Sequence, residues 1–419
     1  MLLFQNICRR SIMTKEINIK ELLAEMYLDA FDIGEAEVQA VSEVVRSKRL
    51  GSSFGDKTKK FEKAFADYLG VQYATSTCSE TAALYLALGA LGVGPGDEVI
   101  VPACSSLATP NAVVYQNAVP IFADIDEKTL NICPAKIEER ITSRTKGLIV
   151  VHMYGCPAEM EAILAIARKH KLFVIEDCAL AMGAEYGGKK VGTFGDVACF
   201  SLGTGKQLNI GQGGLVVSNN EETAKAVAKR NHHYGISREG QAIGHADVLG
   251  HNYKLTEMQA AIGLVQLGKL DRLNDQRISN VKYLREKLSK VKGIGLPYVS
   301  PKVKHVFNMF NIKINEEEIG MSRKELQIAL FEKGVYSDPL FDTPMNLELS
   351  FQNKVGYGQG CPFECPIYKA KGGNVHYGEG LCSVAENTLP KLIGFSIHPG
   401  LSRENLDTIA AAIVEVCSR

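Results

Sequence analysis

The chain of 419 residues has no tryptophan, no net charge and no long apolar run. Lysine and arginine together number 47, as do aspartate and glutamate, so no excess of one sign points to nucleic acid or to a membrane surface. No window approaches the roughly eighteen apolar residues that indicate a membrane-spanning helix. We therefore expect neither a nucleic-acid nor a membrane partner.

Eleven cysteines raise the question of disulfides or zinc, but they are scattered and many lie within apolar patterns. Reduced thiols in a cytoplasmic enzyme explain such a distribution best. The most compact group is Cys361 and Cys365, with His376 and Cys382 nearby, and its spacing is too loose for a four-ligand site. We expect no bound metal.

The length of the chain predicts two domains of unequal size. The first twelve residues, MLLFQNICRRSI, hold two arginines and no acid, and Met13 offers another start. We interpret residues 1–30 as an N-terminal extension rather than a targeting signal. We place a large domain at 31–272 and a smaller C-terminal α+β domain at 273–419.

Short apolar runs alternate with helical patterns through much of the chain. AVPIFADID, GLIVVHMYG and LFVIEDC are typical of buried strands, and residues 160–170 have the pattern of a helix between two of them. This alternation predicts a mainly parallel sheet with helices on both faces, which collects ligands at the carboxyl ends of its strands. An irregular stretch at 336–387 is long enough to be functional.

Two runs carry residues that suit one cofactor chemistry. The run at 199–216, CFSLGTGKQLNIGQGGLV, sets Lys206 between glycine-bearing turns just after an apolar strand. Upstream, FVIEDC ends a strand on Glu176 and Asp177. A pyridoxal phosphate enzyme must supply a lysine for the Schiff base and an acid that keeps the pyridine nitrogen protonated.

These runs resemble the DegT/DnrJ/EryC1/StrS family of sugar and cyclitol aminotransferases, whose lysine run reads roughly S-F-x-x-x-K-x-L-x-x-G-x-G-G. The matching positions are Ser201, Lys206, Leu208, Gly211, Gly213 and Gly214. The resemblance implies an aspartate aminotransferase-like α/β fold with a seven-stranded sheet, and pyridoxal 5′-phosphate as cofactor. It implies Lys206 and Asp177 as catalytic residues and Ser201 as a ligand of the cofactor phosphate.

A second run of the family, G-x-N-Y-x-x-x-E-x-x-A-A-x-G-x-x-Q-L, lies at 250–267. In the family its asparagine reaches the cofactor phosphate of the neighbouring subunit, so the resemblance implies this role for Asn252 in a homodimer. The family also seats the phosphate at a Gly-Thr pair where a helix begins. Here Thr81 matches and Glu80 does not, and a carboxylate beside a phosphate repels it.

Two further positions depart from the family. Ser106 stands where an aromatic ring would stack on the cofactor, and Leu180 where a glutamine would contact its phenolic oxygen. Each loss weakens cofactor binding by about 1 kcal/mol. Three changes around one ring favour an altered pocket.

We therefore expect a homodimeric aminotransferase that passes an amino group from an amino acid, glutamate or glutamine, to a keto-sugar, a nucleotide-linked keto-sugar or a keto-cyclitol. The glycine before Lys206 leans towards a cyclitol or a sugar without a nucleotide. One alternative is a pyridoxal phosphate lyase or dehydratase acting on a sugar. Another is a non-catalytic or regulatory protein with the same fold, which the changes at Glu80, Ser106 and Leu180 favour.

Overall fold

The structure of the protein, a computed structural model, describes residues 32–232 and 246–418. The predicted extension at 1–30 lies outside the described residues. In chain order the strands are β1 (Tyr73–Thr77), β2 (Glu98–Pro102), β3 (Val119–Ala123), β4 (Thr145–Val151), β5 (Phe173–Asp177), β6 (Glu185–Tyr186), β7 (Lys189–Lys190), β8 (Val197–Ser201), β9 (Gly214–Ser218), β10 (Ile294–Gly295), β11 (Val303–Lys304), β12 (Phe310–Ile314) and β13 (Leu392–Phe395). The α-helices are α1 (Glu35–Ser47), α2 (Lys57–Leu69), α3 (Glu80–Ala90), α4 (Ala108–Tyr115), α5 (Pro134–Glu138), α6 (Met160–His170), α7 (Glu221–Asn231), α8 (Glu257–Leu288), α9 (Glu316–Ile319), α10 (Arg323–Glu332), α11 (Leu349–Gln352), α12 (Pro366–Ala370), α13 (Ser383–Thr388) and α14 (Arg403–Cys417).

Seven of these strands form one sheet, in the order β1-β9-β8-β5-β4-β2-β3. Neighbouring strands from β8 to β3 run parallel, whereas β9 is antiparallel to both β8 and β1. Every residue of β2, β8 and β9 is buried, as expected of strands that are covered on both faces. The predicted seven-stranded, mainly parallel sheet is confirmed.

Different helices cover the two faces of the sheet, because successive side chains of a strand point to opposite faces. Val99 and Val101 of β2 pack in one core with α3 and α4, while Ile100 packs in another with α6. α6 has the bounds that its pattern predicted. On the face of Ile100, Phe65 of α2 meets Phe200 of β8 edge-on, with 5.0 Å between the ring centres.

The C-terminal part of the chain builds a separate core. Its three-stranded sheet, in the order β10-β12-β13, packs with α10, α14 and the second half of α8. This is the smaller α+β unit implied by the family resemblance. The predicted domain boundary at residue 272 falls inside α8, one continuous helix that contacts α1 and α2 as well as α14. The division at this residue remains a prediction.

The irregular stretch at 336–387 packs on the edge of the large sheet. Tyr377 donates its hydroxyl to the carbonyl of Pro120 in β3 at 2.7 Å, and Tyr368 donates to Glu98 in β2 at 2.9 Å. Buried aromatic rings from this stretch extend the core of the large sheet. Within the described ranges, no helix combines the length and the apolar character needed to cross a bilayer.

Candidate active site

The carboxyl ends of β4, β5 and β8 lie side by side, because Val151, Asp177 and Cys199 are register partners. Asp177 is the last residue of β5 and is only 2% exposed. Its Oδ2 accepts a hydrogen bond from Thr109 Oγ1 at 2.8 Å, and its Oδ1 accepts one from the N–H of Ala179 at 3.1 Å. These bonds fix the carboxyl group of Asp177 at the edge of the sheet where ligands collect.

Thr109 was missed by the sequence reasoning. It lies on α4, is fully buried, and its hydroxyl is also 2.8 Å from Ser105 Oγ. Ser106, which occupies the family's ring-stacking position, is exposed. Its Oγ accepts the N–H of Ala108 at 3.3 Å. The available signal was the hydroxyl-rich run SSLAT at 105–109, which is separated from the end of β2 by two residues and lies at the same sheet edge.

Lys206 lies in the loop that reverses the chain between β8 and β9. A bond from the N–H of Leu202 to the carbonyl of Gly213, at 2.9 Å, closes this loop. Gly205 has a φ of +86°, a conformation that glycine adopts without strain. Asn308 from the C-terminal part donates to the carbonyl of Gly205 at 3.1 Å, so both parts of the protein position the lysine.

Lys206 and Asp177 belong to one site. Burial lowers the pKa of the Lys206 amine, while the nearby carboxyl groups of Glu80 and Asp177 act in the opposite direction. The net lowering brings the amine closer to the neutral form that a nucleophile requires. Asp177 is among the groups that act on this amine, which supports the expectation that the lysine and the acid share one site.

Helix α3 begins at the same edge of the sheet, directly after β1. Ser79 is its N-cap and accepts the N–H of Ala82 at 3.1 Å. A Cβ atom on Gly214 would lie 2.6 Å from the Ser79 carbonyl, so only glycine lets β9 pass this close to the turn. The free N–H groups and the dipole at the start of α3 suit an anion such as a phosphate ester.

A cavity of about 360 Å³ lies beside this turn. Ser79 and Thr81 form part of its wall. Four tyrosines form much of the rest: Tyr85, Tyr115, Tyr253 and Tyr357. The carbonyl of Tyr253 accepts the N–H of Cys78 at 2.6 Å, and Asn252, one residue earlier, is exposed. Asn252 therefore lies on the surface close to the predicted phosphate turn.

Glu80, the first residue of α3, points into the protein. It is 7% exposed, and its Oε1 has no hydrogen-bond partner among the described residues. Its carboxyl group interacts with that of Asp177, and burial together with the Asp177 charge raises the pKa of Glu80 well above its ordinary value. Burial and the neighbouring Asp177 therefore favour the protonated form of Glu80 over its ionised form.

Ser201 and Leu180 lie on either side of the Lys206 loop. Ser201 ends β8, and its Oγ accepts the N–H of Gly203 at 3.4 Å. Leu180 is buried in the core, and its carbonyl accepts a hydrogen bond from the side chain of Gln207. Gln207, which the sequence reasoning did not select, thereby ties the loop after β5 to the lysine loop.

Glu176 faces the other side of β5. It is fully buried and lies 3.0 Å from His152 Nε2, and three backbone groups donate to it at 2.7 to 2.8 Å: the N–H groups of Gly192, Phe194 and Gly195. With His152 and Cys178 it forms a group of three potential metal ligands, the one such group found in the described ranges. Because hydrogen bonds already occupy its oxygens, we assign Glu176 a structural role.

A family model supports the resemblance that these residues carry. The model of the DegT/DnrJ/EryC1/StrS aminotransferase family matches residues 31–371. The chain belongs to this family. The predicted aminotransferase activity and the aspartate aminotransferase-like fold are confirmed, and the lyase and regulatory alternatives are not favoured.

Named relatives agree with this assignment. The chain is 36% identical to GDP-perosamine synthase of Caulobacter vibrioides, with 87% of this chain and 91% of the relative covered. It is 35% identical to UDP-N-acetyl-3-dehydro-alpha-D-glucosamine 3-aminotransferase of Acidithiobacillus ferrooxidans, covering 86% and 88%. The structure of NtdA from Bacillus subtilis with bound cofactor PMP superimposes with a TM-score of 0.78, at 29% identity and with 92% and 83% of the chains covered.

Pyridoxal 5′-phosphate is the cofactor of this aminotransferase. The residues present fit it: Lys206 offers a half-buried amine for the covalent link, Asp177 a carboxyl group for the ring nitrogen, and the start of α3 an anion site. Glu80 is the exception. Its side chain now lies against Asp177, so it fits only when it turns away from that carboxylate.

Proposed function

We propose that this aminotransferase passes the amino group of an amino acid, glutamate or glutamine, to the keto group of a nucleotide-linked sugar. The observation that carries the proposal is the meeting of Lys206 and Asp177 in one buried site at the strand ends. The names of the two relatives refer to a GDP-linked and a UDP-linked sugar, which supports a nucleotide-linked acceptor.

The glycine before Lys206 carries little weight for the acceptor. In the sequence this glycine favoured a cyclitol or a sugar without a nucleotide as acceptor. In the structure Gly205 has a φ of +86°, which most other residues adopt only with strain. The backbone of the loop therefore accounts for this glycine. A keto-cyclitol remains the second candidate acceptor.

The residues of the site divide the work of transamination. Bound pyridoxal phosphate supplies an electron sink for the carbon that loses a proton. Asp177, which accepts hydrogen bonds from Thr109 and Ala179, would keep a proton on the ring nitrogen. Lys206 Nζ, whose pKa burial lowers, takes the proton from Cα of the amino donor and returns it on the cofactor side. The N–H groups at the start of α3 hold the phosphate and so orient the ring between these two side chains.

We also propose a homodimer in which Asn252 reaches the cofactor phosphate of the partner subunit. Asn252 is exposed, and the neighbouring Tyr253 is joined by its backbone to Cys78, just before the phosphate turn. Exposed apolar side chains, among them Phe54 at 80% and Leu249 at 88%, supply surface that association would bury.

We also propose that the protein is located in the cytoplasm. The cysteines in the described ranges are free, and most of them are buried. Free thiols persist where the surroundings are reducing, as in the cytoplasm.

Half-reaction spectroscopy tests the acceptor. Glutamate should shift the visible absorbance of the holoenzyme to that of the amino form, and the true acceptor should restore it. We expect UDP- or GDP-linked keto-sugars to restore the band and keto-inositols to leave it unchanged. Lys206→Ala is the control, since it should lose the covalent band. Restoration by keto-inositols alone would contradict the proposed acceptor.

Mixed dimers test the role of Asn252. Lys206→Ala and Asn252→Ala subunits, each inactive alone, should regain activity when they are refolded together. One site of the mixed dimer then has Lys206 from one subunit and Asn252 from the other. If Asn252 acted within its own chain, the mixture would stay inactive. Mixing Lys206→Ala with Asp177→Ala, two changes within one site, should also leave the mixture inactive and is the matched control.

A further inference from the structure

The inward orientation of Glu80 is not a requirement of its position at a helix start. Glu221 is also the first residue of a helix, α7, and it is exposed and paired with Lys225 at 2.7 Å. Glu80 instead buries its carboxyl group and leaves Oε1 without a partner among the described residues. A buried polar atom without a partner is unfavourable and calls for an explanation.

Asp177 is the group that explains this orientation. The titratable groups whose charges interact with Glu80 are Asp177, Lys206, Cys178 and Cys199. Other titratable side chains on the helices that pack against α3 lie elsewhere: Tyr115 lines the tyrosine cavity, and Arg230 lies against Gly89 at the far end of α3. Of these groups, Asp177 is the one that raises the pKa of Glu80 both by its charge and by side-chain hydrogen bonding.

We propose that Glu80 competes with the ring nitrogen of pyridoxal phosphate for Asp177, so that cofactor uptake requires Glu80 to release this carboxylate. Asp177 already accepts bonds from Thr109 and Ala179, so a carboxyl group held against it takes up acceptor positions that the ring nitrogen would use. Glu80 acts through Asp177 and is therefore a positioning residue rather than a catalytic one. The inference rests on the cofactor of the family and not on the identity of the acceptor sugar.

The competition is linked to a proton. A neutral carboxylic acid donates a hydrogen bond to Asp177, whereas an ionised Glu80 has no proton to donate and is repelled by it. As the pH rises and Glu80 releases its proton to solvent, its hold on Asp177 should weaken. Cofactor affinity should then depend on pH through a residue that makes no contact with the reacting atoms.

Binding of pyridoxamine phosphate to the full-length chain, freed of cofactor, tests this proposal. This ligand has no aldehyde, so its affinity reports on Asp177 and the phosphate site without a covalent link to Lys206. Equilibrium dialysis from about pH 6 to about pH 9 would compare wild type with Glu80→Ala, which removes the competitor, and Glu80→Gln, which keeps a donor that does not titrate. Glu221→Gln is the matched control at an exposed helix start.

At the acidic end we expect Glu80→Ala to bind about fivefold more tightly than wild type, the value of one net hydrogen bond. The ratio of the Glu80→Ala affinity to the wild-type affinity should fall as the pH rises. The ratio of the Glu80→Ala affinity to the Glu80→Gln affinity should stay constant. These ratios cancel the titration of the ligand, Asp177 and Lys206. Glu221→Gln should follow wild type throughout.

Equal or weaker binding by Glu80→Ala at every pH would overturn the proposal, since removal of a competitor must strengthen binding. If Glu80→Ala does not fold, as judged by circular dichroism, wild type and Glu80→Gln still decide the question. A ratio of their affinities that changes with pH supports the competition. A ratio independent of pH overturns it.

Discussion

Two buried glutamates, on opposite sides of β5, show how their surroundings decide the charge of one side chain. Behind the strand, burial raises the pKa of Glu176, but His152 and backbone N–H groups outweigh burial and hold it below its ordinary value. In front, Glu80 has one oxygen without a partner among the described residues and faces Asp177, and its pKa is raised well above the ordinary value.

The difference teaches that burial alone does not neutralise a carboxyl group. Glu176 is the more deeply buried of the two, yet it is the one that stays ionised, because donors converge on both of its oxygens. Glu80 faces Asp177, which is an acceptor, whereas Glu176 is surrounded by hydrogen-bond donors. The rear of β5 is therefore a structural anchor, and the front is a site whose protonation a ligand can change.

The strongest test of the contrast between the two sides of β5 is to substitute Asp177, the acid on the front side. Asp177→Asn should lower the transamination rate by about 10²- to 10⁴-fold, because a neutral amide cannot keep a proton on the ring nitrogen. The free energy of unfolding should change little, since the amide oxygen can still accept the N–H of Ala179 while its NH₂ group donates to the hydroxyl of Thr109. Steady-state kinetics and urea unfolding measure the two effects. A large loss of stability with activity retained would reverse the roles assigned to the two faces.

At the rear we expect the opposite pattern. Glu176→Gln replaces one acceptor oxygen with an NH₂ group that faces N–H donors, and should lower the free energy of unfolding by about 3 kcal/mol. The turnover number of the folded holoenzyme should stay near that of wild type. Urea unfolding at fixed protein concentration measures the free energy of unfolding, and steady-state kinetics measure the turnover number. Glu221→Gln should leave both unchanged, and a loss below about 1 kcal/mol in Glu176→Gln would refute the anchor role.

The raised pKa of Glu80 predicts how stability depends on pH. Above its ordinary value of 4.5 the unfolded chain loses this proton while the folded protein keeps it, so the folded state binds more protons and stability falls as pH rises. The stabilising contribution is complete below the unfolded pKa and is lost as pH rises through the folded pKa.

Glu80→Gln has no proton to lose, so it should become more stable than wild type with rising pH, by up to about 1.4 kcal/mol per pH unit. Urea unfolding of the cofactor-free proteins between about pH 5 and about pH 8 measures this difference. Parallel curves for the two proteins would show that Glu80 titrates alike in the folded and unfolded states.

The smallest effect concerns the hydroxyl that holds Asp177 from the front. Thr109→Val keeps the shape but removes the bond to Oδ2, and should lower the free energy of unfolding by about 1 kcal/mol and the rate by about tenfold. Thr109→Ser keeps the donor and should retain most of the activity. Equal losses in both variants would assign the effect to packing instead of the hydrogen bond.

Much of the site could be predicted because its residues follow the ends of strands. Lys206 and Asp177 were predicted from short runs, since parallel strands bring their carboxyl ends to one edge regardless of the loops between them. Thr109 and Gln207 were missed because each acts through a contact with a distant segment, on Asp177 and on the carbonyl of Leu180. No local pattern marks such a contact.

The spacing of residues in the sequence determined the alternation of strands and helices and the mainly parallel sheet, and it predicted Lys206 and Asp177 as the lysine and acid of the cofactor site. All of these depend on the spacing of residues along the chain. The tertiary structure alone decided that Glu80 points inward to Asp177 while Glu176 is saturated with donors, and that α8 joins both cores. The physical reason is that a carboxyl group takes its charge from the donors and charges around it, and folding brings those from distant parts of the chain.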